Sequence, residues 1–215
     1  MNQTNSQRET ALATLRALVP KRRLRYSEAL RIAELQANRL IELFDIDGPT
    51  VPSELVAELP RVEIRAVPDL PVSGSTHWKA GRWIITLNAD EPFVRRRFSM
   101  MHEFKHVLDH TMTSYLYGNT KTDERAAAQA ERAADHFAAC LLMPKRWLKS
   151  QWFGSGQRLS PVASRLQVST RALSLRLWHL GITGDPPRCP TSAQPYASGI
   201  PRYFRYTPGP LEAVA

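Results

Sequence analysis

The sequence predicts an α+β fold that is mostly helical, with one small β-sheet placed before two long helices. Apolar residues recur at helical spacing in most segments, whereas between residues 62 and 88 they follow the period of two that strands show. The composition is that of a folded globular protein. In a chain of 215 residues, 43% hydrophobic residues are enough for one sizeable packed domain with a small appendage.

Two helices precede the predicted sheet. A short helix over residues 6–18 ends at Pro20 and is expected to form a helical N-terminal extension, residues 1–26. Ser27 is a good N-cap for a second helix that runs to about Asp45. The apolar side chains of this second helix form one stripe at helical spacing, so we expect it to pack on the domain that follows.

The predicted sheet has three strands. After a short helical piece over residues 52–59, residues 62–67 alternate as a half-buried strand does. Residues 76–79 and 82–88 are typical of the two arms of a β-hairpin. An edge strand of this sheet could accept an extended peptide as an added strand, or it could merely cover the helices, and the sequence leaves both open.

Two long helices follow the sheet. The first has Pro92 in its first turn and ends near His110. After a loop over residues 115–121, the second helix starts at the predicted N-cap Thr122 and ends before Pro144.

The last third of the chain is predicted to hold two further segments. Residues 157–183 contain two short helices joined by a tight turn, which is the outline of a helix-turn-helix. Residues 184–215 include seven prolines, so we expect a Pro-rich tail that is extended or disordered.

The first long helix contains the pattern His-Glu-x-x-His at residues 102–106. A spacing of four brings His102 and His106 to one face of a helix, where both can bind one metal ion. Glu103 follows the first histidine and is close enough to act on a metal-bound water. The pattern fixes only three positions, so the prediction also depends on the carboxylates that the next helix supplies.

A catalytic zinc site takes three protein ligands and leaves one position for water. His110 lies roughly 12 Å from His102 along the helix axis, which is too far for one ion. On the following helix, Glu131 and Asp135 are four residues apart and share a face. We assign Glu131 as the third ligand and Asp135 as the residue that orients a ligand histidine through its other ring nitrogen. The alternative for this pair is an ordinary solvated helix face.

These residues together predict hydrolysis of a peptide bond. A bound metal would activate a water and polarise the substrate carbonyl, while Glu103 would accept the proton of that water and pass it to the leaving amine. A hydrogen-bond donor for the oxyanion is also expected. Tyr115, Tyr117 and His136 are the candidates, and no feature of the sequence favours one of them.

Two longer stretches resemble the ImmA/IrrE family of zinc metallopeptidases. Residues 97–106 resemble the family's R-F-[ST]-x-x-H-E-x-x-H helix, and residues 131–144 match every fixed position of its E-x-x-A-[ND]-x-F-A-x-x-L-L-M-P pattern. The strand that ends at Asn88 and the segment 168–181 are also similar to features of the family. The likeness covers roughly residues 27–182.

The resemblance implies a zincin-like metallopeptidase domain over residues 27–153, with a gluzincin-like site. In that site His102, His106 and Glu131 would bind zinc, for which manganese could substitute, and Glu103 would be the general base.

The resemblance also implies a partner and a role. Such proteins typically cleave a helix-turn-helix repressor and so relieve repression, and many belong to mobile elements or stress responses. One departure is Lys105, where many members have glycine. By its helical angle from His102, Lys105 is expected near the rim of the pocket.

The net charge of +9 lies almost wholly in residues 145–215, which carry 10 basic and 2 acidic side chains. This excess suits nucleic acid or an acidic protein surface, or it reflects a generally basic proteome. Two alternatives to the peptidase therefore stay open. The chain could be a DNA-binding regulator that reads DNA with the start of its last helix, or a module that sequesters a repressor without cutting it. The DNA-reading residues would be Ser169, Thr170, Arg171 and Ser174.

The sequence also predicts the compartment. No stretch approaches the ~20 apolar residues of a membrane span, and the polar first ten residues are not those of a signal peptide. The two cysteines, Cys140 and Cys189, are expected to be unpaired thiols in a reducing environment. We therefore predict a cytoplasmic protein with no membrane partner.

Overall fold

The computed structural model describes residues 2–120 and 122–184, with side chains from Thr10 onward. In chain order its elements are α1 (Asn2–Ala17), α2 (Tyr26–Leu43), a 3-10 helix (Ser53–Val56), β1 (Val62–Val67), β2 (Gly74–Lys79), β3 (Arg82–Asn88), α3 (Phe93–Asp109), α4 (Thr113–Leu116), α5 (Glu124–Leu142), α6 (Lys145–Gly154), α7 (Leu159–Leu166) and α8 (Thr170–His179). The predicted α+β, mostly helical fold is confirmed. None of the helices in these ranges is both long and apolar enough to cross a membrane. The predicted tail and Cys189 lie outside the described residues.

The three strands form one mixed sheet in the order β1-β3-β2. Strand β1 pairs parallel with β3, and β2 pairs antiparallel with β3, so the predicted hairpin is confirmed. Ala80 and Gly81 in its turn both have positive φ, as tight hairpin turns of this length require. Because β2 pairs with a strand on one side only, its other edge is unpaired within the described part of the chain.

Helix α3 lies between the sheet and α5 and contacts both. Its Phe104 is fully buried, with its ring centroid 6.1 Å from that of Phe137 on α5. Helix α2 packs on α5 with the apolar stripe that its sequence predicted, including Ala37 and Leu40. Burying a Leu or Phe side chain contributes roughly 1.5–3 kcal/mol, so the apolar core fixes the helix that carries the motif from both sides.

Three local features differ from the predictions. Arg25, not Ser27, caps α2, because the Glu28 carboxylate accepts the backbone N–H of Arg25 at 2.8 Å and closes the first turn there. Asp123, not Thr122, caps α5, and its side chain accepts two backbone N–H groups of the first turn, at 2.9 and 3.3 Å. Part of the predicted loop after α3 forms the single turn α4.

The two short helices predicted near the C-terminus are present as α7 and α8. Ser169 caps α8 by accepting the backbone N–H of Ala172 at 3.1 Å. The Arg97 guanidinium of α3 donates to the carbonyls of Leu166 and Gln167, at 3.0 and 2.6 Å. Helices α7 and α8 are therefore attached to the helix that carries the motif.

Candidate metal centre

Helices α3 and α5 bring three ligand-type side chains to one point. His102 and His106 lie one turn apart on α3, and their Nε2 atoms are 3.1 Å apart. From α5, Glu131 places Oε2 3.1 Å from His102 Nε2 and Oε1 3.4 Å from His106 Nε2. The ligand atoms of the three residues all lie within 4.8 Å of one another. These are the three residues that the sequence analysis assigned to the metal.

The distances and the atom types fit a divalent metal ion. A tetrahedral ion with bonds of about 2.0–2.1 Å holds its ligand atoms roughly 3.3 Å apart, close to the distances of 3.1 and 3.4 Å found here. Two imidazoles and a carboxylate are a donor set that suits zinc. One cation could bind all three groups, because their ligand atoms lie within 4.8 Å of one another.

A second carboxylate orients His102. Asp135 Oδ1 lies 2.8 Å from His102 Nδ1, the ring nitrogen on the side away from the other ligands. It holds the proton on Nδ1 and leaves the Nε2 lone pair free for a metal. In the metal-free chain, burial opposes the charged imidazole, but the hydrogen bonds to Asp135 and Glu131 outweigh burial and raise the pKa of His102 to about 9.

In Glu131 the same two effects compete, and the pKa shifts in the opposite direction. Burial would raise the pKa of its carboxylate, yet the hydrogen bonds with His102 and His106 outweigh burial and lower this pKa to about 2. Glu131 is therefore ionised at neutral pH, which is the state that a metal ligand requires.

Glu103 is buried beside these ligands, with 1% of its surface exposed. Its Oε2 accepts the Thr76 hydroxyl at 2.7 Å, whereas its Oε1 has no hydrogen-bond partner. A Cβ at Gly74 would lie 3.1 Å from Glu103 Cγ, tighter than an ordinary contact, so glycine allows β2 to approach this closely. Burial raises the pKa of Glu103, although His106 and His102 favour its charged form. An unpartnered buried oxygen is costly, so we expect Oε1 to bind a water or a substrate group.

The three candidate oxyanion donors have other contacts. Tyr117 is buried and donates its hydroxyl to Asp109 Oδ2 at 2.7 Å. His136 places Nε2 3.4 Å from Cys140 Sγ, and Tyr115 is half-buried against a small apolar cluster. The role of oxyanion donor stays a prediction for all three, and Tyr117 would have to leave Asp109 to take it.

Lys105 does not lie at the rim of the pocket. It is fully buried, and its ammonium forms an ion pair with Asp109 one turn further along α3. Burial lowers the pKa of Lys105, and Asp109 opposes that effect. The predicted rim position was therefore wrong, because the helical angle gave the direction of Lys105 without saying what that side of α3 packs against. The spacing of four between Lys105 and Asp109 was the signal for their contact.

Two residues of β2 that contact Glu103, Thr76 and Gly74, were not predicted from the sequence. The predicted strand began at Thr76, so Gly74 fell outside it, whereas in the structure β2 begins at Gly74 and the two residues share one face. No spacing rule relates that face of β2 to a helix more than twenty residues further along the chain. Only the tertiary structure, in which the sheet packs against α3, shows this contact.

A small sheet, a helix with two histidines and a second helix with carboxylates define a metallopeptidase-like domain. The family model described as IrrE N-terminal-like domain (Peptidase_M78) matches residues 61–177. The chain belongs to this family, and the resemblance to ImmA/IrrE proteins is confirmed. No curated protein sequence matches the chain.

Among solved structures, the chain is similar to a Mycobacterium tuberculosis transcriptional regulator, with a TM-score of 0.55 and 16% sequence identity. The similarity covers 78% of this chain and 51% of that one, so the chain spans about half the length of the regulator. At this identity the likeness shows a shared fold and nothing about activity.

Proposed function

We propose that the protein is a zinc-dependent endopeptidase with Glu103 as its general base. One observation carries the proposal: the buried Oε1 of Glu103 has no partner and lies beside three side chains that can hold a metal. Membership of a peptidase family supports it. Zinc is proposed from the donor set, and manganese could take its place.

When bound, zinc supplies an activated water and a Lewis acid for the substrate carbonyl. Asp135 holds the Nδ1 proton of His102 and so keeps Nε2 free for the metal. Thr76 fixes Oε2 of Glu103, which leaves Oε1 to take the proton of the attacking water. Glu103, whose pKa burial raises, then gives that proton to the leaving amine nitrogen.

We propose that β2 binds the substrate as an added strand. Hydrogen-bonded pairs alternate in an antiparallel register, and the N–H of Asn88 donates to the carbonyl of Ser73 at 3.1 Å. The backbone groups of Gly74, Thr76 and Trp78 therefore point to the unpaired edge. A peptide that pairs with this edge would pass beside the general base.

We infer that the substrate is a helix-turn-helix repressor, as the family resemblance implies, and that cleavage relieves repression in a mobile-element or stress response. A basic surface on α6–α8 suits an acidic part of such a partner, because residues 145–184 contain no acidic residue. Its six exposed cations are Lys145, Arg146, Lys149, Arg158, Arg165 and Arg171. We also propose a cytoplasmic location, which the free thiol of Cys140 supports.

Glu103→Gln should abolish cleavage and leave metal binding intact. The amide has nearly the same shape but cannot accept the proton, so we expect a fall in kcat/KM of about 10²–10⁴-fold. The protein would be incubated with a helix-turn-helix repressor encoded beside its gene, with zinc and then with a chelator. Cleavage is measured on gels. The metal content is measured by mass spectrometry and is expected to be about one zinc per chain.

The matched control is Glu124→Gln, the same substitution at an exposed position of α5. Cleavage that survives in Glu103→Gln would contradict the mechanism. A repressor that is bound but stays intact with zinc or manganese would instead favour the sequestering module.

DNA binding through α8 is the second candidate function. The exposed residues Ser169, Thr170 and Arg171 at the start of α8 favour it. Leu175 and Trp178, 41% and 38% exposed on the same helix, favour an apolar protein contact instead. Binding to duplex DNA that weakens steeply with salt would support this function, and binding that is absent or insensitive to salt would remove it.

A further inference from the structure

Trp78 is an exposed aromatic side chain with a fixed aromatic support on one side. Its exposed fraction is 46%, whereas that of Trp83, opposite it on β3, is 6%. The two rings meet edge to face with their centroids 5.3 Å apart. His110, just after α3, covers Trp83 in turn at a centroid distance of 4.8 Å. The indole of Trp78 is therefore held in place and still open to a ligand.

Trp78 lies on the face of β2 that contacts the general base. Side chains alternate along a strand, so Gly74, Thr76 and Trp78 share one face. Thr76 bonds to Glu103 at 2.7 Å, and Gly74 makes the close approach to the same side chain. At about 3.3–3.4 Å per residue, Trp78 lies roughly 7 Å beyond Thr76 along the strand.

A peptide extended along the unpaired edge of β2 would follow the same alternation. The residue near Thr76 would bring its peptide bond to Glu103, and the side chain two positions away would lie on the open part of Trp78. An indole supported by another ring suits an aromatic or large aliphatic side chain, through apolar and edge-to-face contacts. We propose that Trp78 is a specificity-determining residue that selects a large apolar side chain two residues from the cleaved bond. This inference rests on the proposed function, because the contact depends on a peptide bound along β2.

The test measures peptide binding apart from cleavage, in nitrogen-15-labelled, zinc-loaded Glu103→Gln protein. The probes are a decapeptide of Ser, Thr and Gly that carries one Phe, and the same peptide with Ser in place of Phe. The indole N–H signal of Trp78 is identified by its loss in Trp78→Phe. We expect the Phe peptide to shift this signal progressively, the Ser peptide to leave it in place, and the signals of Trp147 and Trp152 to stay unchanged.

Trp78→Ala should raise the dissociation constant of the Phe peptide roughly three- to tenfold, the loss of one aromatic contact. Trp178→Ala, which removes an exposed tryptophan from α8, is the matched control and should leave the constant unchanged. No shift of the Trp78 signal at millimolar Phe peptide, or equal shifts with both peptides, would overturn the proposal.

Cleavage by the unsubstituted chain separates this inference from the proposed function. If Trp78 binds the Phe peptide but no peptide or repressor is cut, the peptidase proposal fails, and only the binding of a large apolar side chain by Trp78 stands, without its position relative to a cleaved bond. If cleavage occurs and its preference for Phe over Ser is the same in Trp78→Ala, the subsite is refuted while the peptidase stands. We expect Trp78→Ala to lose most of that preference, mainly through a higher KM for the Phe peptide.

Discussion

The roles of individual residues in the site depend on their hydrogen-bond partners more than on their type. Glu103 and Glu131 are both glutamates, yet burial raises the pKa of the first, and two histidines lower that of the second to about 2. The raised pKa suits the Glu103 carboxylate to accept a proton, and the lowered pKa suits the Glu131 carboxylate to bind a cation. His102 likewise has a carboxylate at each ring nitrogen, which fixes the nitrogen that faces the metal position.

Zinc affinity should rise with pH between about 6.5 and 8, because zinc displaces a proton from His102. Pairing raises the pKa of His102 to about 9 in the metal-free chain. A raised pKa stabilises the metal-free fold at low pH, and this stabilisation is lost as the pH rises through about 9. Over the lower range, the dissociation constant for zinc should fall about tenfold per pH unit, measured by competition with a coloured chelator.

Asp135→Asn is the companion variant for this measurement. It removes one of the groups that raise the pKa of His102, so the dependence on pH should flatten. Zinc affinity itself should drop about 10–100-fold, as is usual when a carboxylate that supports a ligand histidine is lost. A zinc affinity that is the same at every pH in both proteins would contradict this account.

Among the elements, α3 is held at its C-terminal end by α1 and by the turn after α4. Arg16 of α1 donates to the carbonyls of Val107 and Leu108, at 2.8 and 3.2 Å. Carbonyls in the last turn of a helix have no partner within the helix, so Arg16 satisfies groups that would otherwise be left to water. Tyr117, just after α4, donates to Asp109. These contacts fix the helix that carries two of the candidate metal ligands.

Asp109→Asn should destabilise the fold by about 3–5 kcal/mol, because it leaves the buried Lys105 without its counter-charge. The double variant Lys105→Met with Asp109→Asn should recover most of that loss, since no charge stays buried and the amide oxygen can still accept from Tyr117. Urea unfolding followed by circular dichroism measures both free energies. A double variant as unstable as the single one would show that the ion pair is not the cause.

In the molecule as a whole, buried arginines join the C-terminal helices to the domain that carries the candidate metal centre. Arg97 is 2% exposed, and its guanidinium donates to the carbonyls of Val51, Leu166 and Gln167. Arg176 of α8 donates to the carbonyl of Met143 at 3.4 Å. These two buried arginines attach the basic surface on α6–α8 to the domain that carries the site, so a partner bound there would be held at a fixed distance from β2.

Arg97→Met should loosen α7 and α8 and leave the candidate metal ligands in place. The methionine fills part of the volume but leaves the buried carbonyls of Val51 and Leu166 and the partly buried carbonyl of Gln167 without this donor, so faster hydrogen exchange is expected over residues 159–180. Arg96→Met, which removes a bond to the carbonyl of Ala89 on the other side of α3, is the control. Unchanged exchange in α7 and α8, measured by mass spectrometry, would mean that apolar packing alone holds them.

The sequence by itself determined most of the local features of this protein, although not the caps of α2 and α5. It gave the class of fold, the hairpin and the two long helices, because periodicity and breaker residues act over a few neighbours. It also put His102 and His106 on one face, since four residues make about one helical turn. The assignment of Glu131 and Asp135 needed only the same rule on a second helix and the requirement for a third ligand.

The tertiary structure alone decided what surrounds those residues. It brought Thr76 and Gly74 of β2 to Glu103, turned Lys105 into the interior and left Trp78 open at the sheet edge. Each of these facts depends on which face of one element packs against another element of the fold. Such contacts depend on how the whole core packs, and local periodicity in the sequence carries no record of which faces will meet.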